Sequence, residues 1–157
     1  MKKLIFPFLI LGFLLTSCEN DDDVCVSGEA TPRLKIKFKS ADNKVLTLDS
    51  LYLDVDYGNN NILTVVKAAK VDSALIPIRV DDVGFTELYV RKTKKGSVSK
   101  IKLNYNTTSE YVSPACGFKR LYQNLSGTLE TANPVTKVEL NQNQIINENK
   151  AHLYLVF

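Results

Sequence analysis

Three cysteines and one histidine are the side chains of this 157-residue chain best suited to covalent or acid–base chemistry near neutral pH. Cys18 stands directly after Leu15-Thr16-Ser17, at the end of an apolar run. That is the lipobox pattern. Its chemistry is acylation of the Cys18 sulfur by a diacylglyceryl group, followed by cleavage between Ser17 and Cys18 by signal peptidase II. Cys25 and Cys116 then form an even pair in an exported chain, where disulfides persist. The expected bridge is Cys25–Cys116, and the bland alternative is two buried free thiols. Two cysteines and one histidine, widely spaced, do not supply a four-ligand zinc cage. No metal site and no cofactor is expected.

His152 is the sole histidine. In a terminal strand it reads as a structural residue before it reads as a catalyst. A serine nucleophile would have to meet it on a sharp turn, and the chain has no Gly-x-Ser-x-Gly elbow. A small envelope hydrolase is therefore the alternative rather than the main reading, and the chain is not expected to be an enzyme. Asp54-Val55-Asp56-Tyr57-Gly58-Asn59-Asn60-Asn61 places several oxygen ligands in a row. It lacks EF-hand order and the terminal Glu, so it reads as a polar hairpin turn. Asp81 and Asp82 are adjacent, so in a strand they would point to opposite faces and form no acid–base pair.

The elements that would position these residues start with the leader. Lys2 and Lys3 form a positive n-region, and Leu4 to Leu15 is an apolar run of 12 residues broken only by Pro7 and Gly12. A spanning helix needs about 20 apolar residues, so this segment reads as a secretory signal. The chain from Cys18 to Phe157 has 140 residues, which suits one domain, expected over 24–157. The net charge of +3 falls to +1 without Lys2 and Lys3, and setting aside Glu19, Asp21, Asp22 and Asp23 leaves +5 on Val24 to Phe157. A charge so modest does not argue for nucleic acid. Residues 18–23 are expected to be a lipidated cysteine followed by a disordered acidic linker.

From Leu34 onward the pattern has period two. Leu34, Ile36 and Phe38 alternate with lysines, as do Ile101, Leu103 and Tyr105 with Lys102 and Asn104. Strands are expected at 34–39, 45–48, 51–57, 62–66, 74–80, 85–91, 98–105, 135–140 and 151–157, and Pro77 marks an edge strand or a bulge. The segment 118–125 reads equally as strand or as one to two helical turns. No long stretch has helical spacing. The expected fold is all-β, an antiparallel β-sandwich of about eight short strands. The terminal Phe157 behind Leu155 and Leu153 also suits the end of an outer-membrane barrel, but barrel strands need about 10 residues with an apolar outer band. The barrel stays a minor alternative.

The basic run Arg91-Lys92-Thr93-Lys94-Lys95, with Lys100 and Lys102, reads as a solvated hairpin face that blocks edge aggregation. Contact with acidic glycan or lipopolysaccharide phosphate is the sharper alternative. Few aromatics interleave it, so base stacking is unsupported.

Cys25, Thr31-Pro32-Arg33-Leu34, Tyr111-Val112-Ser113-Pro114-Ala115-Cys116-Gly117-Phe118 and the strand bearing His152 together resemble a family of uncharacterised Bacteroidota outer-membrane lipoproteins. The resemblance implies paired cysteines and an anchored placement, and it implies no activity or cofactor. Glu19 to Asp23 resembles the acidic surface-export signal of such lipoproteins, which implies cell-surface display rather than a periplasm-facing placement. Asp49-Ser50-Leu51 and Asp72-Ser73-Ala74 resemble their O-glycosylation motif, making Ser73 and Ser50 candidate acceptors. The sequence leads to a lipid-anchored, non-catalytic binding or scaffolding module at the outer membrane. Its partners are expected to be the membrane, through the lipid on Cys18, and an envelope protein or a glycan, with no nucleic acid.

Overall fold

The computed structural model describes residues 30–59 and 61–157. The signal segment, Ser17, Cys18, the acidic linker and Cys25 lie outside the described residues. Nine strands and no helix appear among those described: β1 (Leu34–Lys39), β2 (Leu48–Asp56), β3 (Ile62–Val71), β4 (Ser73–Ile76), β5 (Phe85–Arg91), β6 (Ser99–Ser113), β7 (Gly117–Thr131), β8 (Lys137–Leu140) and β9 (Leu153–Val156). They form two sheets, ordered β4-β1-β9-β8 and β3-β2-β5-β6-β7.

Period-two alternation explains why these two sheets face each other. Leu34, Ile36, Phe38, Leu153 and Leu155 from the four-stranded sheet are fully buried. They share one core with Leu51, Leu53, Val55, Leu88, Val90, Ile101 and Leu103 of the five-stranded sheet. Each such side chain contributes about 1.5–3 kcal/mol of burial. The arrangement is a β-sandwich. Its strands make two open sheets, each with its own edges, and not the single closed sheet that the barrel alternative needs.

The pairing is antiparallel except between β1 and β9, which run parallel with Ile36 opposite Leu153. The first and last described strands are thus neighbours, and β9 is laid between β1 and β8. The sandwich is antiparallel as expected, apart from this one parallel pair.

Strand lengths depart from expectation where the alternation loses phase. β2 is a single strand, not two pieces divided at Asp49. Leu48 and Leu51 are both buried at a spacing of three, so the sequence pattern breaks although the ladder does not. β3 runs ten residues instead of five. Its continuation, Lys67-Ala68-Ala69-Lys70, has no buried face and is held by pairing with β2. A register shift opposite Leu53/Asp54 and the left-handed Lys70, at φ 52°, distort this edge, as exposed edges commonly require. β6 and β7 are 15 residues each, and the open choice at 118–125 resolves as strand. They are not the short strands expected. β4 ends before Pro77, at a sheet edge as anticipated.

Gly127 brings the two sheets close where β7 meets β8. A Cβ there would lie 3.0 Å from Val138 Cγ1, so any larger residue has to displace the β8 side chain.

Candidate functional site

The loop Asn141–Asn149 between β8 and β9 holds four asparagines and two glutamines. It has no regular structure, yet the body fixes it at many points. Asn141 N–H and Gln142 N–H both donate to His152 O, at 2.8 and 3.1 Å. Asn141 Nδ2 donates to Ala151 O at 2.6 Å. Ile145 is fully buried and exchanges both backbone hydrogen bonds with Tyr122, while Leu125 N–H donates to Asn143 O at 2.8 Å. The loop thereby covers the free edge of β7, whose orphan donors would otherwise invite pairing with another chain.

His152 is the other fastening. It is fully buried. Its Nδ1 accepts from Lys35 N–H at 2.8 Å, and its Nε2 lies 3.0 Å from Asn147 O. Because Nδ1 accepts, the proton sits on Nε2 and is donated to Asn147. The ring is neutral, and burial holds its pKa below the ordinary histidine value. Both ring nitrogens are spent on backbone groups, so neither is available to a serine nucleophile. The histidine that the sequence offered to a hydrolase is a brace between β1 and the β8–β9 loop.

Two hollows meet at Ile146 and Asn147. One, of about 440 Å³, is lined by Leu140 to Gln144 with Ile146 and Asn147. The second, of about 540 Å³, runs between residues 30–33 and 146–149. Leu140 and Ile146 are exposed there at 50% and 51%. Among the described residues, the side-chain amides of Gln142, Asn143 and Gln144 make no hydrogen bond. The charged residues of the cleft neutralise one another. Arg33 grips Glu148 through Nε and Nη2, both at 2.8 Å, and this pairing holds the Glu148 carboxyl below its ordinary pKa. The result is a neutral cleft with free amide donors and acceptors beside two apolar side chains. Sequence reasoning passed over this loop. The signal available there was the density of Asn and Gln, which matches no motif.

The other sequence candidates are placed apart from this cleft. Asp54 pairs with Arg91 and accepts from Thr64 Oγ1 at 2.6 Å. Asp56 Oδ1 accepts from Gly58 N–H at 2.7 Å. The oxygen-rich row is thus engaged by a salt bridge and a turn, and no three of His, Cys, Asp and Glu cluster among the described residues. Asp81 and Asp82 serve different partners, Arg79 and Arg120. Two cations of the basic stretch, Arg91 and Lys100, are engaged by carboxylates. Arg91 meets Asp54, and Lys100 lies 2.9 Å from Glu87 and 3.0 Å from Glu130, which raises its pKa. Ser50 sits within β2 and donates to Lys92 O, whereas Ser73 opens the edge strand β4 and donates to Asp72 at 2.9 Å. Cys116 lies half-buried in the turn between β6 and β7, its N–H donating to Ser113 Oγ at 3.1 Å.

Beside the loop, the interior holds a small polar cluster. Thr86 Oγ1 and Tyr105 OH are 2.6 Å apart, and Tyr122 packs edge-on to Tyr105 with ring centres 5.0 Å apart. Burial pushes both phenols above their ordinary pKa. Tyr122 OH is buried and has no hydrogen-bond partner among the described residues. An unpaired buried hydroxyl costs about 1–3 kcal/mol. Tyr122→Phe is therefore expected to leave stability unchanged or raise it by about 1 kcal/mol, read by urea denaturation. A loss of stability would show that the hydroxyl has a partner.

No curated protein and no solved structure matches the chain. A family model matches residues 50–157, which takes in all of β3 to β9, most of β2 and the whole amide-lined loop. The chain belongs to DUF6452, a family of unknown function.

Proposed function

We propose that the protein is a lipid-anchored module of the bacterial outer membrane that works by binding a neutral, hydroxyl-rich ligand, a glycan, in the cleft of the β8–β9 loop. The observation that carries the binding reading is the set of uncommitted amides at Gln142, Asn143 and Gln144 on a braced backbone. Amides donate to and accept from sugar hydroxyls equally well, and a prefixed loop loses little entropy on binding. The internal Arg33–Glu148 pair favours an uncharged ligand over an anionic one. Catalysis is not part of the proposal, because His152 has a complete structural role.

The anchoring rests on Leu15-Thr16-Ser17-Cys18, and display on the cell surface rests on the acidic residues that follow. The bridge Cys25–Cys116 is part of the same reading, and the fold offers it support. Thr31 Oγ1 accepts from Arg120 N–H at 2.9 Å. That contact brings the chain to within four residues of Cys116 on one side and six of Cys25 on the other. Six extended residues reach about 20 Å, which spans the gap along β7.

The binding test titrates neutral oligosaccharides released from envelope polysaccharide into the unaltered chain and into a variant carrying Gln142→Ala, Asn143→Ala and Gln144→Ala together. Saturable binding to the first, lost at least tenfold in the second at unchanged melting temperature, is the expected result. Equal binding by both, or none by either, would overturn the glycan reading. For the anchor, Cys18→Ser should abolish incorporation of labelled palmitate and move the protein to the soluble fraction. Protease shaving of intact cells reads the surface placement.

A further inference from the structure

Beyond Tyr105 and Tyr122, the strands β6 and β7 leave the sandwich and continue as a two-stranded arm. The arm pairs from Asn106 opposite Gln123 to Ser113 opposite Gly117, a length of about 25 Å. No residue of 106–121 is buried. Among the described residues the arm's ladder is only two strands wide; such a ribbon gains little stability from its own pairing, and this one carries two large exposed rings. Tyr111 is 56% and Phe118 69% exposed, and they pack edge-to-face with ring centres 5.4 Å apart. They cover no core, so folding alone does not account for them.

We propose that this arm is a foot, and that Tyr111 and Phe118 rest in the interfacial region of the phospholipid bilayer that holds the lipid on Cys18. The inference rests on the lipid anchoring proposed above and adds to it an orientation of the sandwich. Three observations select the bilayer as the occupant. The chain outside the described residues ends beside the arm, since Thr31 is fastened to Arg120, two residues from Phe118. Thirteen chain steps lead from Cys18 to Thr31, a tether of at most about 45 Å. The arm's charges are balanced: Lys119 pairs with Glu110 at 2.9 Å and Arg120 with Asp82 at 3.2 Å. The surface offered to headgroups is therefore aromatic and near neutral. Aromatic rings with an apolar body suit the headgroup boundary. Two rings alone bind a bilayer weakly, but a short tether raises their effective concentration to the millimolar range.

The sequence contains no tryptophan, so one introduced indole reports its own surroundings. The full lipidated chain with Phe118→Trp is reconstituted into vesicles of phosphatidylethanolamine and phosphatidylglycerol. A parallel chain carries Val45→Trp, at an exposed position before β2 at the far end of the sandwich. In floated vesicles, Phe118→Trp emission should shift to the blue and be quenched by brominated acyl chains, while Val45→Trp emission stays water-like. Flotation with water-like Phe118→Trp emission overturns the foot and leaves the anchor standing. Failure to float overturns the anchor and the foot with it. A blue shift without vesicles, rising with protein concentration, would mean that a second copy covers the rings, and a shift at both positions would mean non-specific adsorption. Either result overturns the proposal.

Discussion

His152→Ala should destabilise the chain by about 3 kcal/mol and lower its melting temperature by on the order of 10 °C. The substitution leaves a cavity at a fully buried site. It also strands two backbone groups, the Lys35 N–H and the Asn147 carbonyl. The loop bearing the cleft loses one of its fastenings, so its amide protons should exchange faster than those of β5. A melting temperature within 2 °C of the unaltered chain, by differential scanning calorimetry, would show that the brace contributes little.

The same residue sets a pH signature. In the unfolded chain a histidine titrates near 6.5. In the folded chain burial holds the value lower, against the backbone hydrogen bonds to Asn147 and Lys35, which oppose it. Between the two values the unfolded state binds more protons, so stability rises with pH across that window. The stabilisation is present above about pH 6.5 and is lost as the pH falls below it. No other histidine contributes. The paired carboxylates act lower: Lys137 and Lys39 pull Glu139 down to about 2, and Glu87, Asp81 and Glu148 are also lowered. Their contribution is present above the ordinary carboxylate range and falls away as the pH drops through it. Between pH 7.5 and 5.5 the unaltered chain should lose stability and His152→Ala should lose much less. Parallel slopes would assign the effect to another group.

Opening a Cys25–Cys116 bridge is expected to cost about 2–5 kcal/mol. The loop it would close spans about 90 residues, for which chain entropy alone gives roughly 4–5 kcal/mol. Cys116 is carried at the tip of the long hairpin, where the ladder is two strands wide among the described residues. Cross-linking that tip to the N-terminal stretch would therefore stiffen the arm as well as the fold. The check is thermal melting with and without reductant, beside alkylation of the unreduced protein. Unchanged melting together with two alkylated thiols would remove the bridge.

The core of the sandwich was legible because each central strand repeats its apolar residues with period two. Leu34-Ile36-Phe38 and Ile101-Leu103-Tyr105 announce a buried face with no knowledge of what covers it. The edge strand β3 and the arm were foreshortened for the opposite reason. Their pairing is maintained by backbone hydrogen bonds to β2 and to each other, and those groups are the same in every residue. His152 was legible as structural in kind but not in detail, since its partners lie 117 residues away at Lys35 and five away at Asn147.

The sequence by itself determined an all-β chain, its core residues, most of its turns and the absence of any serine elbow to recruit its lone histidine. These follow from local chemistry: side-chain period, turn residues and motif spacing. Only the tertiary structure decided that β9 lies parallel to β1, that Arg91 and Lys100 are engaged by Asp54, Glu87 and Glu130, and that an asparagine-rich connection becomes a braced cleft. Each of those depends on which distant groups meet, and distance along the chain carries no record of distance in space.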